Sequence, residues 1–240
     1  NVSNATVTRF VRRLGYDSFD QARQAARLTQ QSGAAVFQAT PQRDDPDAAL
    51  LTQIAQGRVN VESSFAAIAQ AEIDDLADAI LQAGRVWIVG FRTAQAFAIY
   101  LGAQIGQIVP HVTVLPQAGQ TLAEHLGSIR SGDVVIVFAL RRIVRQLPRL
   151  CHEISQTPAR AALITDLVAE AGADLTEVEG ALQPVWRMRV QTHAPGPLFN
   201  HAAVLALCHL LATRCLERSG PEGRKRLLAI EALHDSLQEF

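Results

Sequence analysis

Apolar residues along this chain follow two rhythms. In the first fifteen positions Val7, Phe10, Val11 and Leu14 recur at spacings of three and four, which draws one apolar stripe along a helix. Both ends of that helix are marked: Ser3 is a good N-cap, Val2 and Val7 stand as a hydrophobic staple, and Gly15 suits the position just past the last turn. Ala5, Thr8, Arg9 and Arg12 fall on the side away from the stripe, so one face packs and the other is basic. Residues 16–40 read as a short turn and a further helix anchored by Phe19, with a linker expected around residues 38–47. From Asp44 a long helical pattern runs through Leu50, Ile54, Val61, Phe65, Ile68, Ile73, Leu76 and Ile80 and stops near Gly84.

Beyond Gly84 the rhythm changes to short, charge-poor runs separated by helical stretches. Val86–Val89, Val112–Leu115, Val134–Phe138 and Ala161–Thr165 read as strands, and residues 92–108, 121–129 and 143–154 between them as helices. Strands that lack polar alternation are buried on both faces, so the expected fold class is α/β: a doubly wound parallel sheet preceded by a helical N-terminal segment. After Asp174, strands are expected at Leu175–Val178 and Trp186–Val190, and helices over 198–217 and 221–238 close the chain. The penultimate helix carries Val204, Leu205, Leu207, Leu210 and Leu211, more apolar surface than one core-facing stripe needs, which points to an oligomer even without residues 1–83.

Composition narrows the class. A chain of 240 residues with 48% hydrophobic and 19% charged residues is neither disordered nor a coiled coil. No apolar run approaches the roughly 20 residues that cross a bilayer; the stretch Ala202–Leu211 is short and carries His209. Cys151, Cys208 and Cys215 form no CxxC pair, so neither a disulfide framework nor a thiolate zinc site is expected, which fits a reducing cytoplasm. The net charge of −1 hides a local excess: within residues 1–40, Arg9, Arg12, Arg13, Arg23 and Arg27 oppose Asp17 and Asp20, five minus two, or +3. The chain opens on Asn1 at a helix start, with no basic and apolar leader, and reads as part of a longer protein.

Candidate chemistry lies where strand ends meet helix starts, because exposed backbone N–H groups and the helix dipole favour an anion there. Three junctions qualify: Gly90-Phe91-Arg92-Thr93, Ala139-Leu140-Arg141-Arg142, and Pro197-Leu198-Phe199-Asn200-His201. None has a dinucleotide or P-loop glycine pattern. The candidate ligand-binding residues are Gly90, Arg92, Thr93, Arg141, Arg142, Asn200 and His201, with arginines able to clamp a carboxylate or phosphate. A base for proton transfer beside a sugar carbonyl could be sought in Glu124 or His125, but neighbours on a helix point in different directions, and no catalytic residue is assigned. His193, His201 and His209 have no chelating spacing, so no metal and no other cofactor is expected.

The run Asn1-Val2-Ser3-Asn4-Ala5-Thr6-Val7-Thr8-Arg9-Phe10-Val11-Arg12-Arg13-Leu14-Gly15-Tyr16 resembles the recognition helix of RpiR-type bacterial transcriptional regulators. The rest is similar to the sugar isomerase (SIS) domain of the same regulators. That resemblance implies an SIS-like αβα sandwich behind the C-terminal part of a helix-turn-helix, with the chain divided at 1–40, 41–83 and 84–240. It implies an operator DNA read by Ser3, Asn4, Thr6, Thr8, Arg9 and Arg12, a small anionic metabolite such as a sugar phosphate as effector, and a homodimer or homotetramer. The chain departs from the family pattern at its ligand loops. Phe91, Arg92 and Thr93 occupy the first turn where a serine is usual, Phe138-Ala139-Leu140-Arg141-Arg142 replaces a serine- and threonine-rich loop, and His201 stands where a serine is common. A DNA-binding regulator is therefore the leading reading; a phosphosugar isomerase and a degenerate SIS domain serving only assembly stay open beside it.

Overall fold

Runs such as Val86-Trp87-Ile88-Val89 place an apolar side chain on both sides of a strand, and they fold only where both faces of a sheet are covered. The computed structural model describes residues 4–13, 15–16, 18–23, 46–141, 143–167, 173–195 and 198–239. Its elements in chain order are α1 (Asn4–Arg13), α2 (Pro46–Ala67), α3 (Gln70–Gln82), β1 (Val86–Val89), α4 (Thr93–Gly106), β2 (Val112–Leu115), α5 (Leu122–Leu126) and β3 (Val134–Ala139), followed by α6 (Leu147–Ser155), β4 (Arg160–Asp166), α7 (Ala173–Leu182), β5 (Trp186–Val190), α8 (Ala202–Arg218) and α9 (Gly220–Leu237). The five strands form one parallel sheet in the order β2-β1-β3-β4-β5. β1 and β3 are buried along their whole length, whereas the edge strand β5 alternates buried Trp186, Met188 and Val190 with exposed Arg187 and Arg189. This is the doubly wound α/β fold that the pattern predicts.

Helices cover both faces. α3, α4 and α8 pack on one side through Leu76, Ile80, Leu101, Ile105, Leu207 and Leu211, with α2 against α8 and β5, and α5, α6 and α7 pack on the other around Trp87, Val137 and Leu163. Gly90 lets α4 sit close: a Cβ there would stand 2.7 Å from the carbonyl carbon of Ala94 and nearer still to its oxygen. The three cysteines are fully buried, and burial pushes each thiol up to about 12.

Several local expectations are corrected. Leu175–Val178 lies in helix α7, not a strand; Leu175, Val178 and Leu182 are buried at spacings of three and four, a period that a four-residue window cannot separate from a buried strand. The pattern from Asp44 to Gly84 is two helices, broken at Ala69 by an extended backbone (φ −71°, ψ 131°). α6 begins at Leu147 rather than Ile143, and α8 at Ala202 rather than Leu198. In α1, Val11 is buried but Phe10 is 61% exposed, so the expected stripe is only partly used. The surplus apolar surface of α8 is consumed within the chain, since α2, α3 and α4 surround it and only Leu205 of the named leucines stays exposed. Exposed leucines lie instead on α9, at Leu228, Leu233 and Leu237, and on α2, at Leu50 and Leu51.

A polar seam joins α3 to α8. Arg214 donates to both oxygens of Asp74, at 2.7 and 2.9 Å, and Arg218 pairs with Asp78. These guanidinium hydrogen bonds hold both carboxyls below their ordinary value of 3.8. A carboxyl lowered by folding adds stability that is present above its unfolded value and is lost as pH falls through the folded one. Melting temperature is therefore expected to drop on acidification below about pH 4, and to drop less in an Asp74→Asn, Asp78→Asn variant scanned over the same range. Parallel curves for the two proteins would refute this role for the seam.

Candidate functional site

In the order β2-β1-β3-β4-β5 the chain leaves β1 toward one edge and returns to the other side at β3, so the topological switch point, where open α/β sheets take their ligands, lies at the carboxyl ends between them. Its first wall is the turn at Gly90–Thr93. Arg92 adopts φ 57°, ψ −127°, a conformation that favours glycine and strains a residue with a Cβ. The amides of Ala94 and Gln95 donate to the carbonyls of Phe91 and Arg92, both at 3.1 Å, so part of the first turn of α4 is already satisfied. Arg92 and Thr93 are exposed.

The second wall follows β3. Arg141 sits in a loop six residues ahead of Leu147, where α6 begins, and so is not at a helix start as the sequence pattern suggests. Its side chain is only 7% exposed; Nε lies 3.7 Å from Asp166 Oδ2, and the guanidinium stacks 4.1 Å from the ring centroid of Phe199. Burial lowers the Arg141 pKa and the Asp166 carboxylate opposes that shift. Asp166 closes β4 and is wholly buried. Its Oδ2 also accepts from the Thr192 hydroxyl at 2.8 Å and from the Arg141 amide at 3.4 Å.

The third wall precedes α8. The Asn200 amide donates to the Thr192 carbonyl at 3.2 Å, and its Oδ1 accepts from the Ala202 amide at 3.0 Å. His201 packs against Phe97, ring centroids 5.0 Å apart, and against Phe199 at 6.3 Å. Burial lowers its pKa below 6.5, Asp166 opposing and Arg141 adding to the shift, which favours a neutral imidazole. Arg141 and His201 thus meet through Phe199 at one sheet edge, Asn200 is tied to the same edge through Thr192, and Gly90 and Thr93 stand where β1 gives way to α4. Arg142 lies outside the described residues.

Sequence reasoning missed Asp166, Thr192 and Phe199. An aspartate closing an otherwise apolar strand was the available signal, because a buried carboxylate needs partners. It also missed Asn60 and Ser64, two buried polar residues one turn apart in α2. Asn60 Nδ2 donates to the His193 carbonyl at 2.7 Å and Ser64 Oγ accepts from the Gln191 amide at 2.8 Å. Glu124 closes a capping box with Thr121, while His125 is buried edge-on to Trp87. Among the described residues no cluster of three metal-ligating side chains occurs, and no helix is long and apolar enough to cross a membrane.

On α1, Thr8 and Arg12 are exposed. Asn4, Thr6 and Arg9 lie in the helix, but their side chains, like Ser3 as a whole, lie outside the described set.

Comparison with known proteins agrees with this architecture. Residues 79–214, more than half of the chain, match the family model of the SIS domain. The structure is similar to the sugar isomerase domain of an RpiR transcription factor from Sphaerobacter thermophilus, with 18% identity over 76% of this chain and 98% of that one and a TM-score of 0.66. It is also similar to the Vibrio vulnificus NanR protein complexed with ManNAc-6P, at 16% identity over 98% of this chain and 82% of that one, TM-score 0.63. A phosphoheptose isomerase from Neisseria gonorrhoeae shares 12% identity over 72% of this chain and all of its own, TM-score 0.56. No curated protein matches the sequence.

Proposed function

This chain belongs to the SIS-domain family, and on that premise we propose that it is a DNA-binding transcriptional regulator whose SIS domain senses a small anionic metabolite. The observation that carries the reading is α1: a helix whose sequence resembles an RpiR-type recognition helix, which buries Val11 and leaves Thr8 and Arg12 exposed. Likeness to NanR over 98% of this chain, well beyond the SIS domain, supports the same organisation. Residues 1–40 then serve as the end of the DNA-binding head, 41–83 as a helical connector and 84–240 as the sensing domain. Because NanR was solved with ManNAc-6P, a sugar phosphate is the effector class to test first.

An isomerase must hold a base against the sugar carbon that loses its proton. Of the two residues that could be proposed for this, Glu124 is spent on a helix cap, its carboxylate accepting from the Thr121 amide at 2.6 Å, and His125 is buried against Trp87. Those placements favour a sensor over an enzyme.

Selection of DNA from a random pool by the full-length protein should enrich a palindromic or repeated site, since half-site geometry mirrors dimer symmetry. Arg9→Ala is expected to weaken binding to the selected site with little change in sequence preference, and to make the log–log salt slope shallower by about 1. Failure to enrich any site would remove the regulator reading, and tight binding unchanged by that substitution would count against α1 as the helix that contacts DNA.

The protein acts as a homo-oligomer in this scheme. Support comes from α9, which leaves Leu228, Leu233 and Leu237 exposed, the last two one turn apart, and carries Arg224, Lys225 and Arg226 beside Glu222 in its first half and Glu231 and Asp235 in its second. Antiparallel pairing of two copies would set unlike charges side by side. Sedimentation at micromolar concentration should give a dimer or tetramer, and a clean monomer would rule this out.

A further inference from the structure

Three consecutive residues after β5 touch two parts of the molecule. Thr192, the middle one, holds Asp166 through its hydroxyl at 2.8 Å. Its neighbours hold α2: the Gln191 amide donates to Ser64 Oγ at 2.8 Å, and the His193 carbonyl accepts from Asn60 Nδ2 at 2.7 Å. Ser64 also donates to the Asn60 carbonyl at 2.6 Å, so the two α2 residues form one buried unit. Gln56 Nε2 braces Asn60 Oδ1 at 2.9 Å. One turn further toward the N-terminus, Gly57 leaves room for the Asn200 side chain, whose Nδ2 would stand 3.1 Å from an added Cβ.

At the other end of this chain of contacts, the Asp166 carboxylate sits where an oxyanion bound to Arg141 would place its charge. At Nε the separation from Asp166 is 3.7 Å, longer than a charge-assisted hydrogen bond, and Phe199 covers the guanidinium face. An arginine forms bidentate bonds to phosphate or carboxylate at 2.7–2.9 Å in general. An external oxyanion that made such bonds would therefore compete with Asp166 for the same cation.

We propose that Asp166 is the resting counter-ion of Arg141, that an oxyanion-bearing ligand displaces it, and that Gln191-Thr192-His193 carries the displacement to Asn60 and Ser64 of α2. This rests on the reading of the sheet edge as a ligand site. It assigns specificity to Arg141, and to Asn60 and Ser64 a coupling role that no contact with ligand would reveal. Two bonds to backbone groups on either side of Thr192 leave that residue little freedom to move without α2. α2 in turn runs back toward the N-terminal segment, so its position is the quantity a DNA-binding head could read.

The test uses the full chain with inorganic phosphate as the first probe and a hexose 6-phosphate as the second. Binding is followed by calorimetry and α2 by hydrogen exchange over residues 50–64. Asp166→Asn should bind phosphate about tenfold more tightly than the parent, because the internal competitor has lost its charge. Arg141→Gln should lose phosphate binding. In the parent, phosphate should change exchange in α2; in Asn60→Ala, Ser64→Ala the affinity should persist and that change should vanish. A larger response to the hexose phosphate assigns the ligand to sugar phosphates, and equal responses assign it to the phosphate group alone.

Unchanged or weaker phosphate binding by Asp166→Asn overturns the displacement, as does Arg141→Gln binding like the parent, a reading that stands even if Asp166→Asn does not fold. No binding by the parent or any variant does the same. Binding with no response in α2 overturns the coupling. DNA takes no part in these measurements, so a protein that passes them but selects no operator would retire the regulator reading and leave the coupling intact.

Discussion

Gly90→Ala is expected to cost about 3 kcal/mol or more, near or beyond the upper end of the usual penalty for overpacking a core. The reason is that the added methyl meets backbone rather than a yielding side chain. Its Cβ would fall 2.7 Å from the Ala94 carbonyl carbon, closer still to the oxygen, and 3.0 Å from Ala98 Cβ. Relief requires lifting α4 from β1, and Phe97, Ala98 and Leu101 are buried in that contact. Phe97 also supports His201, so the loss should extend to the sheet edge where a ligand is proposed to bind. Gly90→Val should fail to fold at all. Urea denaturation of the alanine variant measures the effect; a stability within about 0.5 kcal/mol of the parent, the range of ordinary surface substitutions, would show that α4 does not sit as closely as described.

Asp166→Ala should be comparably damaging, with an expected loss of about 3–5 kcal/mol. The substitution takes the carboxylate from a guanidinium whose side chain is 7% exposed, and it strands the Thr192 hydroxyl. The informative comparison is Arg141→Met, Asp166→Leu, which removes both charges and fills their volume with apolar atoms. Replacing a buried pair in this way is often neutral or better, so the double variant should recover most of the loss and retain only the cost of the stranded Thr192 hydroxyl, about 1–3 kcal/mol. Chemical denaturation of Arg141→Met, Asp166→Leu and the variant that combines them closes the cycle. An Asp166→Ala protein as stable as its parent would show that the pair is solvated and that the sheet edge is open.

The sheet was legible because its central strands β1 and β3 are apolar on both faces. Four of the expected strands and Trp186–Val190 fall within a residue or two of those observed, since nothing but a covered parallel sheet buries Val86–Val89 and Val134–Ala139 completely. The false strand at Leu175–Val178 arose where helical and buried-strand patterns coincide over four residues. Of the candidate residues, the placement of their loops along the carboxyl edge of the sheet was legible and the contacts among them were not. Residues at three strand-end or helix-start junctions do gather at one edge, but a sequence cannot say that Asp166, twenty-five positions after Arg141, will supply its counter-charge. Asn60 and Ser64 were invisible for a related reason: polar residues inside a helix read as solvent-facing until the element that buries them is known.

The sealed state of Cys151, Cys208 and Cys215 has a practical side. With each thiol buried and pushed up to about 12, almost none is thiolate near neutrality, and thiolate is the species that attacks maleimides and disulfide reagents. A fluorophore or spin probe could therefore be attached at one cysteine introduced on the exposed side of α2, for example at Ala55, with the native sulfurs left in place. The same silence turns into a clock when the fold opens. Cys151 lies under one face of the sheet and Cys208 and Cys215 under the other, so the order in which they become labelled in a slow thiol-exchange experiment reports which half of the sandwich comes apart first.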